Sequence, residues 1–212
     1  MTPSRKTAKI KLLFNRIFNR KVLFCDLDGT LIETKSGKTF PENEKDWKFK
    51  DGIRYAIETY NPRYIFIVTN QGGIEKGFVD EDLFQRKLSD IISEIRTWGD
   101  YVAEWIYCKH NDPMNPYRKP NAGMVHYFFT NYNISKRKSL MIGDASGKDG
   151  QFSDSDLKCA KNAGIKYCDV DDFIKAAYTC FNCSLRNDCD YNYDCVENSL
   201  SYSTRLNDVI VK

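Results

Sequence analysis

The sequence lacks the long apolar segments that mark membrane and secreted proteins. No apolar run approaches the ~20 residues that a membrane-spanning helix needs, and the N-terminal segment has no continuous apolar core like that of a secretory signal. We therefore expect an intracellular protein, cytoplasmic or nuclear, that is not secreted and has no membrane partner. The glycosylation sequons at Asn133 and Asn182 are then chance matches.

Histidine and nucleotide-binding glycine motifs are scarce as well. His110 and His126 are the only histidines, and we expect packing or surface positions for both. The sequence Gly37-Lys38-Thr39 invites comparison with a P-loop, but Ile32 stands where that motif requires its first glycine. We therefore expect no ATP site in this chain.

Net charge is small, since the 212 residues sum to +3, and this value alone does not indicate a nucleic-acid-binding protein. The length fits one medium domain, which we place at residues 21–178, after a basic segment at residues 1–20. Between Arg5 and Lys21 the chain has seven basic residues and no acidic one. This stretch either contacts phosphates or forms a solvated helix or tail, and the sequence leaves both alternatives open.

The eight cysteines fall into two groups. Four lie in or beside predicted strands and helices and are expected to be buried thiols: Cys25, Cys108, Cys159 and Cys168. The other four lie close together in a C-terminal appendage, residues 179–212: Cys180, Cys183, Cys189 and Cys195. Such a cluster can hold a structural Zn²⁺ or an iron–sulfur cluster, or remain metal-free, and the spacing does not decide among these. Disulfides are disfavoured in a reducing compartment.

Hydrophobic patterning predicts an α/β fold in which strands alternate with helices. The predicted strands are Lys21–Cys25, Tyr64–Val68, Glu104–Cys108, Ser139–Ile142 and Ile165–Cys168. The predicted helices are Gly52–Tyr60, Asp80–Trp98, Ala122–Tyr132, Ser155–Asn162 and Asp171–Tyr178, with Asn121 as N-cap of the third and Gly164 as stop signal of the fourth. This order predicts a three-layer, Rossmann-like sandwich with a parallel sheet. The polar segment Thr30–Trp47 is predicted to form a small flap rather than a large cap domain.

Polar, reactive residues follow four of the predicted strands. Ligands of open parallel sheets bind at the carboxyl ends of the strands, so these groups are expected to converge on one site. They are Asp26-Leu27-Asp28-Gly29-Thr30, Thr69-Asn70-Gln71-Gly72-Gly73, Tyr117-Arg118-Lys119-Pro120 and Gly143-Asp144.

The pair of carboxylates in the first group is the most informative feature. One member of such a pair can attack phosphorus while the other transfers a proton. Gly29 permits a sharp turn that lets Asp28 face the same pocket as Asp26. The pair is thus suited to phosphate chemistry, and the rest of the chain decides whether it serves that reaction.

Together the four groups resemble the motifs of haloacid dehalogenase (HAD) superfamily phosphohydrolases, over about residues 21–173. The first group matches the first motif, Thr69 the second, Lys119 the third and Asp144 the acidic fourth. The resemblance implies that Asp26 is the nucleophile, which forms an aspartyl-phosphate. It also implies that Asp28 is the general acid and then the base that activates water.

The resemblance implies the remaining site residues as well. Mg²⁺ would lie among Asp26, the backbone carbonyl of Asp28 and Asp144, since this ion prefers oxygen ligands. The Thr69 hydroxyl and backbone N–H groups near Asn70 would bind phosphate oxygens, and Lys119 would offset developing negative charge. Asp156 resembles the second acid of the fourth motif and would orient Lys119 or a metal-bound water, with Asp149 and Asp154 as competitors for that role.

Flanking residues resemble one branch of the superfamily, the polynucleotide kinase 3′-phosphatases. The stretches that carry this likeness are Ser36–Pro41 with Asp46-Trp47, Gly73-Ile74 with Gly77, Arg118–Pro120 with Gly123-Met124, and Gly143–Gly147 with Phe152–Asp156. Lys148 stands where that family usually has arginine, and the following loop is short. The resemblance implies a stand-alone, monomeric phosphatase half that uses Mg²⁺ to remove the 3′-phosphate from nucleic-acid ends, DNA in preference to RNA, in end repair.

Two alternative functions remain open at this point. A small-molecule HAD phosphatase, acting on a sugar or histidinol phosphate, shares the first three motifs, but the segments Ser36–Pro41 and Phe152–Asp156 count against it. A nucleic-acid-binding module with a catalytically inactive site belongs to a different class. The intact set of Asp26, Asp28 and Lys119 argues against that reading.

Overall fold

The structure is a computed structural model that describes residues 21–181, except residues 40 and 44, with side-chain surroundings given to residue 178. Seven strands are present among them: β1 (Val22–Cys25), β2 (Ile32–Glu33), β3 (Lys48–Phe49), β4 (Tyr64–Asn70), β5 (Val102–Cys108), β6 (Ser139–Gly143) and β7 (Lys166–Asp169). Five of them form a parallel sheet in the order β5-β4-β1-β6-β7, which places β1 at its centre. The predicted α/β class and parallel sheet are confirmed.

Helices cover both faces of this sheet. They are α1 (Ile53–Tyr60), α2 (Gly72–Glu75), α3 (Glu81–Thr97), α4 (Gly123–Asn131), α5 (Ser155–Ala163) and α6 (Val170–Phe181), with a 3₁₀ turn at Lys136–Lys138. Buried side chains of α1, α3 and α6 pack on one face, and those of α4 and α5 pack on the other. The fold is therefore a three-layer sandwich.

Alternation along the central strands creates the two cores. In β1, Leu23 and Cys25 join one core while Val22 and Phe24 join the other, as expected where successive side chains point to opposite faces. All four are fully buried. Because both faces are covered, the strand is apolar at every position. Asp26, the first polar residue after the strand, marks the edge of the sheet.

One of the two predicted helix-end signals is confirmed and the other is wrong. Gly164 ends α5 with φ +71°, as predicted for a glycine stop. Asn121 does not cap α4, whose N-cap is Ala122 without a side-chain hydrogen bond. The Asn121 amide instead donates to the carbonyls of Pro113 (2.9 Å) and Asn115 (2.8 Å). Satisfying these loop carbonyls takes the side chain away from the helix terminus.

The predicted flap is a short hairpin made by β2 and β3. Buried Asp46 fixes its loop by accepting hydrogen bonds from the Ser36 backbone (2.8 Å), the Ser36 hydroxyl (2.7 Å) and the Glu42 backbone (2.9 Å). These bonds favour the ionised carboxylate and hold the pKa of Asp46 below its usual value. The flap is thus an ordered hairpin within the described residues, and no cap domain accompanies it there.

Several predictions concern residues beyond those described. The basic segment 1–20 and residues 182–212 lie outside them, as does the side chain of Cys180, so the appendage and its zinc site stay predictions. Cys25, Cys108, Cys159 and Cys168 are buried free thiols, as expected. Among the described helices, none combines the length and apolar character needed to cross a bilayer.

Candidate active site

The predicted strand-end residues converge at the carboxyl edge of the sheet. Asp26 and Asp28 follow β1, Thr69 and Asn70 end β4, and Asp144 follows β6. Lys119 reaches the same edge from the loop between β5 and α4, and Asp156 from the first turn of α5. Strand β1 is central and is flanked by β4 and β6. The carboxylate of Asp26, directly after β1, therefore lies near groups from both neighbouring strands.

Lys119 lies between two buried carboxylates. The residue is 4% exposed. Its ammonium contacts Asp26 Oδ1 and donates to Asp156 Oδ1 at 2.7 Å. Burial raises the pKa of Asp26 to about 7 against the opposing charge of Lys119. Burial alone lowers the pKa of Lys119, but the charges of Asp156 and Asp26 outweigh it and keep the pKa above its usual value. The ammonium therefore stays charged beside Asp26.

The loop that carries Lys119 is fixed to β4 by Asn70. The Asn70 amide donates to the Lys119 carbonyl (3.0 Å), and the Lys119 backbone N–H donates to Asn70 Oδ1 (2.9 Å). The side chain of Asn70 therefore positions Lys119. The phosphate contact predicted for backbone N–H groups near Asn70 stays a prediction. The Thr69 hydroxyl is buried at the strand end and accepts a hydrogen bond from Gln71 (3.1 Å).

Asp28 lies at the mouth of the site, with its side chain 54% exposed. Gln71 donates to Asp28 Oδ2 at 2.7 Å, and the ammonium of Lys87 lies 3.5 Å from Asp28 Oδ1. Gln71 links Asp28 to Thr69, since its amide nitrogen contacts both side chains. An exposed carboxylate beside a buried one suits the division of labour between proton transfer and nucleophilic attack.

Gly29 permits the close approach of Asp144. It adopts φ +78°, and a Cβ built there would lie 2.2 Å from Asp144 Oδ2. The carboxylate of Asp144 also accepts a long hydrogen bond from the Thr30 hydroxyl (3.4 Å). The turn after β1 thus brings the carboxylate from β6 close to that of Asp26.

Substituting Gly29 by alanine should therefore damage the site as well as strain the backbone. We expect Gly29→Ala to lower kcat/KM at least about tenfold, because the new Cβ displaces Asp144. Gly37→Ala is the matched control, since Gly37 has φ +73° but nothing within 4 Å of its Cβ position. Both variants carry the left-handed penalty of about 1–2 kcal/mol. Full activity in Gly29→Ala, measured beside urea denaturation, would contradict this account.

Three carboxylates form a group that fits a divalent cation. Oxygens of Asp26, Asp144 and Asp156 lie within 4.8 Å of one another, and burial followed by the charge of Asp156 raises the pKa of Asp144. The group contains the predicted ligands Asp26 and Asp144 and adds Asp156. The contact predicted for the backbone carbonyl of Asp28 stays a prediction. Asp156 Oδ1 is committed to Lys119 and Oδ2 accepts from the Ala145 backbone (3.2 Å). Asp26 and Asp144 are therefore the best-placed ligands.

Asp156 also stands apart from its two competitors. It is 1% exposed beneath Lys119, whereas Asp154 makes a surface pair with Lys158 (2.8 Å). Asp149 belongs to the loop after β6 and is exposed. The residue at the first turn of α5 is thus the one that contacts Lys119.

Sequence reasoning missed the group that fixes the loop after β6. Buried Asp169, at the end of β7, accepts hydrogen bonds from Ser146 (2.9 Å) and Gln151 (2.7 Å). Gln151 in turn accepts from the Ser146 backbone (2.7 Å). Lys148 lies 3.3 Å from Asp169 and 2.7 Å from Asp172. The only signal in the sequence was an aspartate directly after an apolar strand.

A second missed group joins the loops after β4 and β5. Glu75 accepts from the Asn111 backbone (2.7 Å) and side chain (2.9 Å) and lies 3.2 Å from His110 Nδ1. These bonds, led by those from Asn111, hold the pKa of Glu75 below its usual value. His110 is therefore a structural residue at the rim, and His126 is exposed on α4. Both positions agree with the expected non-catalytic roles.

Comparison with known proteins places this site in a family. The family described as polynucleotide kinase 3 phosphatase matches residues 21–174. A bifunctional polynucleotide phosphatase/kinase of Schizosaccharomyces pombe is 32% identical over 153 residues, which is 70% of this chain and 36% of that protein. The chain thus spans about a third of the length of this relative.

Heptose phosphatases are similar too. A D-glycero-beta-D-manno-heptose-1,7-bisphosphate 7-phosphatase of Haemophilus ducreyi is 30% identical over 162 residues, covering 69% of this chain and 80% of that protein. The crystal structure of a D,D-heptose 1,7-bisphosphate phosphatase from B. bronchiseptica, complexed with magnesium and phosphate, has the same fold. Its TM-score is 0.55 at 22% identity, over 69% of this chain and 78% of that one.

The matched residues include every strand of the sheet and every side chain of the site described above. Relatives of both kinds are phosphatases by their names. The chain therefore belongs to the polynucleotide kinase 3 phosphatase family and is a phosphatase of the HAD superfamily.

Proposed function

We propose that this phosphatase removes the 3′-phosphate from polynucleotide ends, DNA in preference to RNA. The observation that carries the proposal is the rim of the site. Three large apolar side chains stand almost fully exposed on three separate loops: Phe78, Met114 and Phe152. These loops follow β4, β5 and β6, so all three lie at the same edge of the sheet as the catalytic carboxylates.

Such a rim suits a nucleic-acid strand better than a sugar phosphate. Exposed aromatic and apolar side chains can stack on bases of any sequence, whereas a sugar presents hydroxyl groups to its binding site. The loop that carries Phe152 is held by the bonds of Gln151 to Asp169 and Ser146, so the exposed ring sits on a fixed support. The match to the family model supports the same substrate class.

The site residues divide the reaction between them. A carboxylate oxygen of Asp26 attacks phosphorus, and the bond from phosphorus to the departing 3′-oxygen breaks. Asp28 gives its proton to that oxygen and then takes one from the water that hydrolyses the aspartyl-phosphate. Lys119, held by Asn70, offsets the negative charge that grows on the phosphoryl oxygens. The buried Thr69 hydroxyl, at the end of β4, is placed to contact one of these oxygens.

The carboxylate group fits Mg²⁺, which is an oxygen-seeking ion. Asp26 and Asp144 would hold it through side-chain oxygens, with Asp156 in support. When bound, the ion offsets the repulsion between an anionic nucleophile and an anionic phosphate. Heptose bisphosphate 7-phosphatase activity is the second candidate function, because the Haemophilus ducreyi relative matches over most of its length.

A substrate panel tests the proposal. With Mg²⁺ present, we expect kcat/KM for a 3′-phosphorylated DNA oligonucleotide to exceed that for 3′-phosphorylated RNA, 5′-phosphorylated DNA and heptose 1,7-bisphosphate. The expected margin over the heptose is at least about tenfold, or ~1.4 kcal/mol in transition-state binding. The Asp26→Asn variant, prepared identically, reports any contaminating phosphatase.

Each other outcome of the panel has a definite meaning. A higher kcat/KM for heptose 1,7-bisphosphate would replace the proposal by the second candidate. No turnover of any phosphomonoester, with Mg²⁺ at millimolar concentration, would indicate the inactive nucleic-acid-binding module. Equal rates on 3′- and 5′-phosphorylated DNA would reject the end specificity.

A further inference from the structure

Lys87 is a nearly buried cation that the reaction scheme above does not use. It lies in α3, its side chain is only 11% exposed, and its ammonium is 3.5 Å from Asp28 Oδ1. The ammonium also lies 5.8 Å from the centre of the Phe84 ring. Phe84 is itself buried and packs edge-on against Tyr107. A packed helix thus delivers this positive charge to the mouth of the site.

The position of Asp28 fixes what lies near Lys87 during the reaction. Asp28 must come within hydrogen-bond distance of the leaving oxygen to protonate it. Because Lys87 contacts the same carboxylate, the leaving group enters next to the ammonium. Lys119, by contrast, is buried between Asp26 and Asp156.

Neighbouring cations of the described loops are engaged elsewhere. Lys109 pairs with Glu81 at 2.8 Å, and Lys148 with Asp172 at 2.7 Å. Lys87 instead pairs with Asp28, the carboxylate proposed to transfer the proton. Its ammonium is therefore the charge that a leaving group at Asp28 would meet.

We propose that Lys87 binds the internucleotide phosphate nearest to the 3′ end of the substrate strand. The inference rests on the proposed polynucleotide function and deepens it. In that substrate the leaving group is a nucleotide whose 5′ side carries a phosphodiester, and this diester has a negative charge that the ammonium can neutralise. When Asp28 hydrogen-bonds to the leaving oxygen, the ammonium of Lys87 exchanges its contact with the carboxylate for one with the phosphodiester. Lys87 then distinguishes a strand end from an isolated phosphomonoester.

The test compares a substrate that carries this phosphate with one that lacks it. The first is a short 3′-phosphorylated DNA oligonucleotide, and the second is a nucleoside 3′-monophosphate with a free 5′-hydroxyl. In Lys87→Met, which keeps an unbranched apolar stem against Phe84, we expect KM for the oligonucleotide to rise about tenfold. KM for the mononucleotide should stay within about twofold, and any change in kcat should be common to both substrates. The salt dependence of log(kcat/KM) on the oligonucleotide should weaken by a slope of about 0.7, the value for one contact with a single strand.

Two further variants serve as controls. Lys87→Arg keeps the charge and should retain most of the preference for the oligonucleotide. Lys109→Met removes a surface cation that pairs with Glu81 and should leave the ratio of the two KM values unchanged. Lys87→Gln is measured beside Lys87→Met, so that poor folding of one variant does not decide the result.

The outcomes separate this inference from the proposed function. Equal changes on both substrates, or no rise in KM for the oligonucleotide, would overturn the role of Lys87 and leave it as a positioning residue for Asp28. The wild-type enzyme is measured first. If it turns over heptose 1,7-bisphosphate better than either nucleotide substrate, the proposed function fails, and the inference fails with it.

Discussion

Asp26→Asn is expected to lower kcat by at least about a thousandfold while the protein stays folded. Asparagine has nearly the same shape as aspartate, but its amide cannot attack phosphorus and cannot form an acyl-phosphate. Asp26 is 8% exposed at the end of the central strand and contacts Lys119. Steady-state turnover of a 3′-phosphorylated oligonucleotide measures the effect.

The matched control for this variant is Asp28→Asn. It changes an exposed carboxylate and should also reduce kcat, but it leaves the nucleophile in place. Far-UV circular dichroism and thermal unfolding check that both variants are folded. Activity of Asp26→Asn within about tenfold of the wild type would remove the nucleophile assignment.

Lys119→Met should remove both activity and stability. The buried ammonium pairs with Asp26 and with Asp156, and its loss leaves two buried carboxylates without their cation. Breaking a buried ion pair from one side costs about 3–5 kcal/mol. We therefore expect the free energy of unfolding to fall by about that amount in a urea titration near pH 7, with kcat reduced at least about a hundredfold.

Lys109→Met is the matched control, since Lys109 is 42% exposed and pairs with Glu81 at the surface. Exposed pairs of this kind contribute about 0–1 kcal/mol, so this variant should unfold almost as the wild type does. Equal stabilities for the two variants would show that the Lys119 cluster does not hold the sheet edge together. If the Lys119→Met variant is destabilised but keeps a normal kcat, Lys119 has a structural role and no role in the reaction.

The sequence predicted the strands and the convergence of the site because both depend on local patterns. Apolar runs such as Val22–Cys25 are strands since both faces of the sheet are covered. Parallel topology then brings Asp26, Thr69 and Asp144 to one edge without further information. The predicted convergence follows from that geometry alone.

Tertiary contacts decided what the sequence could not predict. The Asn70 side chain holds the loop of Lys119, 49 residues along the chain. Asn121 bonds carbonyls of the loop before α4 instead of capping the helix. Gln71 and Lys87 reach Asp28 across 43 residues and from a separate helix, and no local pattern reports such a contact. Asp169 holds the loop after β6 in the same way.

The carboxylate group was predicted in part for a similar reason. The likeness to the HAD motifs named Asp26 and Asp144, and the structure places both beside Asp156. The side chain of Asp28, whose predicted metal contact is through the backbone carbonyl, contacts Gln71 and Lys87. Two carboxylates that are neighbours in sequence therefore occupy different electrostatic surroundings, one buried beside a lysine and the other open to the substrate.

The central claim is that Asp26 accepts the phosphate of a polynucleotide 3′ end. Acid quenching of the enzyme during turnover of an oligonucleotide with a radiolabelled 3′-phosphate, followed by peptide mapping, tests it directly. The account predicts an acid-stable label on the peptide that contains Asp26, and its loss in Asp26→Asn. Label on another peptide, or labelling by heptose 1,7-bisphosphate but not by the oligonucleotide, would contradict it.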